Sequence, residues 1–159
     1  MRGWPGTVSR AKDDVIVSLK NTDPNPVAFG APVFLRAAGT GVMNFSSGVT
    51  TPEQFAGFAV RVPDKAPGTY PVRQEEDAAE GVYPPGDTAD ILVRGSVTVR
   101  MLTPGAKAGD KVYIRVSDGM LVTAAGESGS TAELPNVTVR GPRDSSGCCE
   151  VTVTKRNLI

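Results

Sequence analysis

Residues 87–101 read DTADILVRGSVTVRM, and apolar and polar residues alternate along this stretch. Successive side chains of a β-strand point to opposite faces, so a period of two predicts a half-buried strand and not a helix. The face expected to lie on the core carries Ile91, Val93, Gly95, Val97, Val99 and Met101, and the opposite face carries Leu92, Arg94, Ser96, Thr98 and Arg100. Gly95 has no side chain to pack, which indicates a bend, a bulge or a close backbone approach in mid-strand.

Outward from this strand, turn residues separate further short strands. Tyr83–Gly86 is a turn in front of it, and Asp118-Gly119 between two apolar runs predicts a hairpin. Thr51–Gln54 is suited to cap a single helical turn. The other predicted strands are Asp14–Lys20, the second half of Val27–Arg36, Phe58–Val62, Lys111–Val116, Met120–Thr123, Val137–Val139 and Cys149–Thr154. The pattern predicts an all-β fold, a small β-barrel, a β-tulip or a compact sandwich of about eight short strands.

The chain has the length of one domain, with an N-terminal extension. Its 159 residues can bury a core without disulfides, and 18 glycines and 13 prolines disfavour a helical protein. Residues 1–26 are predicted to form an arm with one short strand, and residues 27–159 the β-barrel domain. The arm contains Trp4, a residue type enriched in interfaces. We expect residues 1–20 to serve attachment to a neighbouring chain more than folding, with the strand pairing with another chain's sheet. The alternative is that this strand is an edge of its own domain, on which Val15, Val17 and Leu19 pack.

Composition argues against several kinds of chemistry. There is no histidine, which removes the usual base near neutral pH and a common metal ligand. The two cysteines, Cys148 and Cys149, are neighbours that would point to opposite faces of a strand, so we expect two reduced thiols and no zinc site. We therefore predict no enzyme, and no catalytic, cofactor-binding or metal-ligating residue.

Charge and hydropathy also limit the partners. Seventeen acidic residues balance seventeen basic ones, so no overall field attracts nucleic acid or an anionic membrane. No apolar run is long enough to cross a bilayer, and the N-terminus lacks the apolar core of a secretory signal. We expect a soluble protein that has neither nucleic acid nor membrane as a partner.

One acidic stretch could suggest a hydrolase. Between Tyr70 and Tyr83 the chain carries Glu75, Glu76, Asp77 and Glu80. Paired carboxylates perform acid–base chemistry in glycosidases. Here they lie in an unpatterned stretch with no aromatic platform beside them, and like-charge clusters are usually solvated. A solvated loop is the favoured interpretation.

The order of elements resembles that of a known family. The sequence matches it in a Trp/Pro/Gly-containing N-terminal segment followed by a short strand, and in the segments Phe29–Val33, Phe55–Arg61, Tyr83–Asp87, Ile91–Val99, Ala108–Ile114 and Asp118-Gly119. This arrangement is similar to that of the structural cement, or head decoration, proteins of tailed bacteriophages. The resemblance covers most of the chain.

The resemblance implies a β-barrel or β-tulip that binds the outer surface of the phage head and stabilises the capsid. It implies the major capsid protein and further copies of this chain, as a dimer or trimer, as partners. It also implies a virion protein that is synthesised in the host cytoplasm, without catalysis or cofactor.

Two other classes of function remain as alternatives. Another virion structural protein, such as a head–tail connector, a tail subunit or a fibre-base subunit, would also be rich in β-strands. A carbohydrate-binding β-sandwich is less favoured, because it needs exposed aromatic residues on one sheet face. Nine aromatic residues are present, mostly at positions typical of a core.

Overall fold

The computed structural model describes residues 3–36, 39–62 and 81–158, with the backbone alone at residues 10–12. The regular secondary structure of these residues is β-strand except for one turn of 3-10 helix at Pro52–Gln54. At this turn the Gln54 side chain accepts a hydrogen bond from the Thr51 amide at 2.8 Å. The strands are β1 (Val8–Lys20), β2 (Val27–Ala28), β3 (Pro32–Leu35), β4 (Val42–Met43), β5 (Phe55–Ala59), β6 (Val82–Tyr83), β7 (Thr88–Arg100), β8 (Lys111–Arg115), β9 (Leu121–Val122), β10 (Thr131–Val139) and β11 (Cys148–Val153).

Nine of the strands form one sheet that curls into a half-barrel. Its order is β4-β3-β5-β7-β11-β10-β8-β9, and β1 pairs with β7 outside this path. The named pairs are antiparallel, and β2 and β6 form a separate two-stranded sheet. The predicted all-β class is confirmed. The predicted count of about eight strands omits the two-residue strands β2, β4 and β6. A closed barrel or a tulip stays a prediction.

The long strand β7 is confirmed, but its predicted core face is wrong. Ile91 and Val93 pack in one apolar cluster, whereas Val97 and Val99 pack in another, together with Leu92 from the predicted opposite face. The odd-numbered residues of β7 therefore lie on one face of the sheet at the start of the strand and on the other face at its end. The change falls at Gly95, whose φ of +121° is a backbone conformation that side chains rarely adopt. Gly95 is the predicted irregularity, and it moves the strand's second half to the other face.

The two clusters lie on opposite faces of the sheet. The first core is the larger and holds three phenylalanines; its main members are Phe34, Phe55, Phe58, Leu92, Val97, Val99, Ile114, Leu134 and Val151. The second core is covered by the small β2–β6 sheet; its main members are Val27, Phe29, Val33, Ala59, Tyr83, Ile91 and Val93. Both faces of β7 are therefore buried over most of its length, which explains its nearly continuous burial.

The N-terminal strand belongs to the chain's own sheet. β1 pairs with β7 from Val8↔Val97 to Lys20↔Thr88, and Val15, Val17 and Leu19 pack against the second core, as their alternation predicts. The alternative of an edge strand of its own domain is thus what the structure has. A second chain as partner of residues 1–20, and a domain boundary at residue 26, stay predictions.

Several boundaries differ from the predicted ones. β5 covers Phe55–Ala59 and not the predicted Phe58–Val62. It begins at Phe55, which pairs with Phe34 of β3, and after Ala59 the Val60 amide donates to Asp90 and the Arg61 amide to Gly6. β10 is nine residues long and not three. Its first half pairs with β8 alone. After Asn136, which has a φ of +60°, Val137–Val139 gain β11 as a second partner, while Thr138 still pairs with Lys111 of β8.

Other local predictions are confirmed. The Asp118-Gly119 hairpin joins β8 to β9: Gly119 has a φ of +71°, and its amide donates to the Arg115 carbonyl at 2.8 Å. The cysteines Cys148 and Cys149 are free and buried on β11.

Candidate interaction surface

The N-terminal segment is held against the sheet by close backbone packing. The Gly6 amide donates to the Thr98 carbonyl, and the Gly6 carbonyl accepts from the Arg61 amide, both at 2.8 Å. A Cβ atom on Gly6 would lie 2.9 Å from the Gly30 amide nitrogen, and one on Gly30 would lie 2.7 Å from that of Gly6. Since both glycines also have positive φ, no other residue fits this crossing without a shift. The segment is thus part of the folded surface.

Arg61 lies between two aromatic rings at this crossing. Its guanidinium carbon is 6.0 Å from the centre of the Trp4 ring and 5.6 Å from that of Phe29, distances at which a cation is attracted to a ring face. Burial lowers the pKa of the guanidinium from its usual value, and the Nη1 atom is buried without a hydrogen-bond partner. Arg61 therefore occupies one face of the tryptophan that the sequence identified as an interface residue.

Phe29 and Tyr83 extend this cluster into the second core. Their rings meet edge to face with centres 5.4 Å apart, and the Tyr83 hydroxyl donates to the Val60 carbonyl at 2.6 Å. Both side chains are buried. The three phenylalanines of the first core, Phe34, Phe55 and Phe58, make a series of edge-to-face contacts that Phe45, packed against this core, extends through Phe34. The expectation that the aromatic residues mostly serve the core is confirmed for these residues.

A cleft of about 490 Å³ opens beside the N-terminal segment. Five separate parts of the chain line it: Pro5, residues 28–32, residues 81–82, Arg100 at the end of β7, and the β8–β9 turn at residues 119–121. Its wall is mainly apolar, and Arg100 is the charged residue on it. Met120 on the wall is 37% exposed, and the neighbouring Leu102 is equally exposed. Clefts of this size and polarity bind ligands or partner side chains.

The charged groups near the other strands form ordinary surface pairs. Lys111 and Glu133 approach to 2.8 Å across β8 and β10, and the hydrogen bond to Glu133 raises the pKa of Lys111. Arg115 binds the Asp118 carboxylate and lowers its pKa, which fixes the hairpin turn. Exposed pairs of this kind contribute little stability and imply no chemistry.

Asp14 is a different case. Burial, and secondarily the charge of Asp13, raises the pKa of the Asp14 carboxyl, although the Ser96 amide donates to it at 3.3 Å. The second carboxylate oxygen, Oδ2, is buried without a hydrogen-bond partner.

No group of three or more potential metal-ligating side chains occurs in residues 3–36, 39–62 and 81–158. The acidic residues Glu75, Glu76, Asp77 and Glu80 lie outside the described part of the chain. Within the described ranges, the fold contains no helix with the length and apolarity needed to span a membrane.

The cleft was not predicted from the sequence. The parts that line it lie far apart along the chain, and none of them by itself indicates a cleft. The one local signal is Met120, an apolar residue directly after a hairpin glycine, where a polar residue would be more usual.

These features describe the class: an all-β protein with a mainly apolar cleft on its surface. Residues 1–154 match the model of the structural cement protein family, whose description names E217 gp24 and Pam3 gp6. The chain belongs to this family of phage proteins, as its sequence resemblance indicates. It is accordingly a structural protein of the virion that stabilises the capsid.

A solved structure shows the same fold. A chain from "The capsid of Myoviridae Phage XM1" superposes with a TM-score of 0.73 at 17% sequence identity, over 96% of this chain and 90% of that chain. At this identity the likeness establishes the fold alone. No curated protein has a significant sequence match to the chain.

Proposed function

We propose that the protein binds the outer surface of the assembled phage head, that its partner is the major capsid protein, and that its copies associate there as dimers or trimers. The observation that carries this proposal is the family match over residues 1–154, which includes β1 as well as the half-barrel. The role is structural and not catalytic, and it involves neither nucleic acid nor membrane.

The structure supports such a role through its rigidity. The N-terminal segment is fixed at the Gly6–Gly30 crossing, and the two cores bury both faces of β7. A protein that is already folded at its binding surface binds without the entropic cost of ordering a disordered segment. Many copies bound to neighbouring subunits of a lattice would then add up through multivalency, even if each contact is weak.

The cleft is the surface that we assign to the capsid protein. Its apolar wall would take an apolar side chain from an extended segment of that protein, and Arg100 would pair with a carboxylate next to it. Arg100 is exposed and forms no ion pair with the described residues, so its charge is available. Exposed Met120 adds an adaptable apolar contact at the entrance.

A binding experiment tests this proposal. Purified protein is mixed with heads that lack it, and the particles are imaged to find whether density appears at symmetric positions on the outer surface. Met120→Glu is expected to reduce occupancy strongly, because it places a charge at the apolar entrance. Leu158→Glu is the matched control, since Leu158 is 51% exposed and lies outside the cleft.

The outcomes test separately the location of the protein on the head and the use of the cleft as its binding surface. Density on the head with both variants bound equally would contradict the cleft and leave the function intact. Density only at the portal or along the tail would contradict head binding and favour a connector or tail subunit.

A further inference from the structure

The turn between β8 and β9 contains the single Asp-Gly pair of the sequence, Asp118-Gly119. An aspartate followed by glycine is chemically labile, because glycine has no Cβ atom to hinder an attack by its own amide nitrogen on the aspartate side chain. The Asp118 side chain is 40% exposed, so water reaches it. The same turn lines the cleft with residues 119–121. A change in the backbone of this turn would therefore alter the wall of the cleft.

The reaction to which an Asp-Gly pair is prone is isomerisation to isoaspartate. The Gly119 amide nitrogen attacks Cγ of a neutral Asp118 carboxyl group, and the amide proton leaves with the carboxyl hydroxyl as water, which closes a succinimide ring. Water then opens the ring at the former main-chain carbonyl carbon of Asp118. The main chain now runs through Cβ and Cγ, and the former carbonyl carbon carries a free carboxylate. The mass is unchanged, but the main chain is longer by one atom.

Arg115 holds the Asp118 carboxylate in the form that does not react. Its Nε donates to Oδ1 at 2.9 Å and to Oδ2 at 3.1 Å, and its Nη2 also donates to Oδ2. A guanidinium that contacts both carboxylate oxygens favours the ionised form, which has no hydroxyl group to release as water. The ion pair itself performs no chemistry; it keeps the reactive, neutral form of the carboxyl group rare.

Two further hydrogen bonds restrain the reacting groups. The Gly119 amide donates to the Arg115 carbonyl at 2.8 Å, so the nitrogen that would attack is already bonded. The Met120 amide donates to Asp118 Oδ1 at 3.1 Å, which fixes the orientation of the carboxylate. These contacts depend on the hairpin that β8 and β9 form, and they are lost when the chain unfolds.

We propose that Asp118-Gly119 is a site of spontaneous isoaspartate formation, and that Arg115 suppresses the reaction in the folded protein. The reaction is then faster in the unfolded chain than in the folded chain. Isomerisation would also displace Gly119, which lies so close to Phe45 that a Cβ atom on it would be 3.7 Å from the Phe45 Cβ atom. The site is tested on the purified chain without phage heads, so the result is independent of the proposed function.

Incubation of the full chain at neutral pH, below its melting transition, measures the reaction. Peptides that span the turn are analysed by mass spectrometry with electron-transfer fragmentation, which distinguishes isoaspartate from aspartate of equal mass. We expect Arg115→Gln to accumulate isoaspartate at residue 118 about two- to fivefold faster than the unsubstituted protein, the factor that the loss of an exposed ion pair corresponds to. Lys111→Gln is the matched control: it removes the exposed pair with Glu133 from the same strand and should leave the rate unchanged.

A parallel incubation in concentrated urea separates the folded geometry from the local sequence. There the unsubstituted protein and both variants should isomerise at closely similar rates, all faster than the folded unsubstituted protein. Melting curves show whether Arg115→Gln stays folded during the native incubation. If it does not, Arg115→Lys takes its place, since lysine keeps the charge but loses the contact with both carboxylate oxygens, and it should also isomerise faster than the unsubstituted protein.

Three results would overturn the proposal. The first is no isoaspartate at residue 118 in the unsubstituted protein in urea. The second is an equal rate for the unsubstituted protein and a folded Arg115 variant. The third is the same acceleration by that variant in urea as in the folded state, which would assign the effect to the local sequence and not to the hairpin.

Discussion

The carboxylate of Asp14 fills the space that a side chain at Gly95 would occupy. A Cβ atom built on Gly95 would collide with Asp14 Oδ1, and the Asp14 backbone is only 3.0 Å from the same position. Asp14 lies where the pairing of β1 with β7 is irregular, between the pairs Arg10↔Ser96 and Val15↔Arg94. The irregularity in β1 and the change of face in β7 are therefore two sides of one contact. It lets a single strand contribute to both cores.

Replacing Gly95 by alanine should therefore destabilise the fold. The new side chain would have an unfavourable φ and would displace the Asp14 carboxylate. We expect the free energy of unfolding to fall by about 1–3 kcal/mol for the backbone conformation, with a further loss from the collision. Chemical denaturation measures this.

Gly109→Ala is the control for the free-energy cost of the unfavourable φ alone. Gly109 also has a positive φ, of +92°, but a Cβ atom there would meet nothing within 4 Å. Equal losses in the two variants would show that the contact with Asp14 does not matter.

The sequence predicts the local features well, because they depend on neighbours along the chain. The alternation in Thr88–Arg100 and the Asp118-Gly119 turn require only the preferences of the residues themselves. The change of face at Gly95 was beyond such an argument, since it depends on Asp14, about eighty residues earlier in the chain. The first part of β10 was missed for a similar reason: Thr131–Glu133 has little pattern of its own and is a strand because β8 pairs with it.

The candidate surface was less predictable than the fold. Trp4 is at the surface region that the sequence suggested, but one ring face is taken by Arg61, which no local pattern indicates. The cleft brings together segments far apart along the chain, and their proximity is a property of the tertiary structure.

Replacing Val97 by aspartate should prevent folding. Val97 is fully buried in the first core, in the half of β7 that follows Gly95. A carboxylate there would lose its hydration without an ion-pair partner, at a cost of several kcal/mol, comparable with the whole stability of a small domain. Circular dichroism and solubility report the result.

Val49→Asp, at a position 63% exposed, should fold and melt like the unsubstituted protein. A Val97→Asp protein with a native melting transition would refute the assignment of the first core.

Asp14 should make stability depend on pH. Its folded-state pKa is raised above the usual 3.8 by burial and then by Asp13, so folding disfavours the ionised carboxylate. The carboxyl group is therefore most favourable to the fold when protonated, and this contribution is lost as the pH rises through the folded pKa. We expect Asp14→Asn to melt at a higher temperature than the unsubstituted protein at neutral pH, with a difference that shrinks in acid. Glu127→Gln, in an exposed loop, should show no such pH-dependent difference. A constant difference across the pH range would mean that the effect of Asp14→Asn is not electrostatic.

Deleting residues 1–20 should unfold the protein, and not merely detach it from heads. The deletion removes the ladder partner of β7 from Val97 to Thr88 and the backbone hydrogen bonds at Gly6. It also removes Val15, Val17 and Leu19 from the second core, where each half-buried side chain contributes about 1 kcal/mol. Together with the lost ladder, this is a large part of the 5–15 kcal/mol that typically stabilises a domain. The thermal transition followed by circular dichroism should therefore disappear or shift far downward.

Trp4→Ala separates attachment from folding in the same segment. This substitution leaves the β1–β7 ladder intact and removes only the half-buried indole and its contact with Arg61, so the fold should survive with a loss of about 1–3 kcal/mol. If Trp4→Ala then binds heads normally, tryptophan serves the fold alone. If binding is lost while the melting transition remains, residues before Val8 act in attachment and the strand after them acts in folding. A truncated chain lacking residues 1–20 that melts at the original temperature would contradict this division, because β1 would then be dispensable to the sheet that it edges.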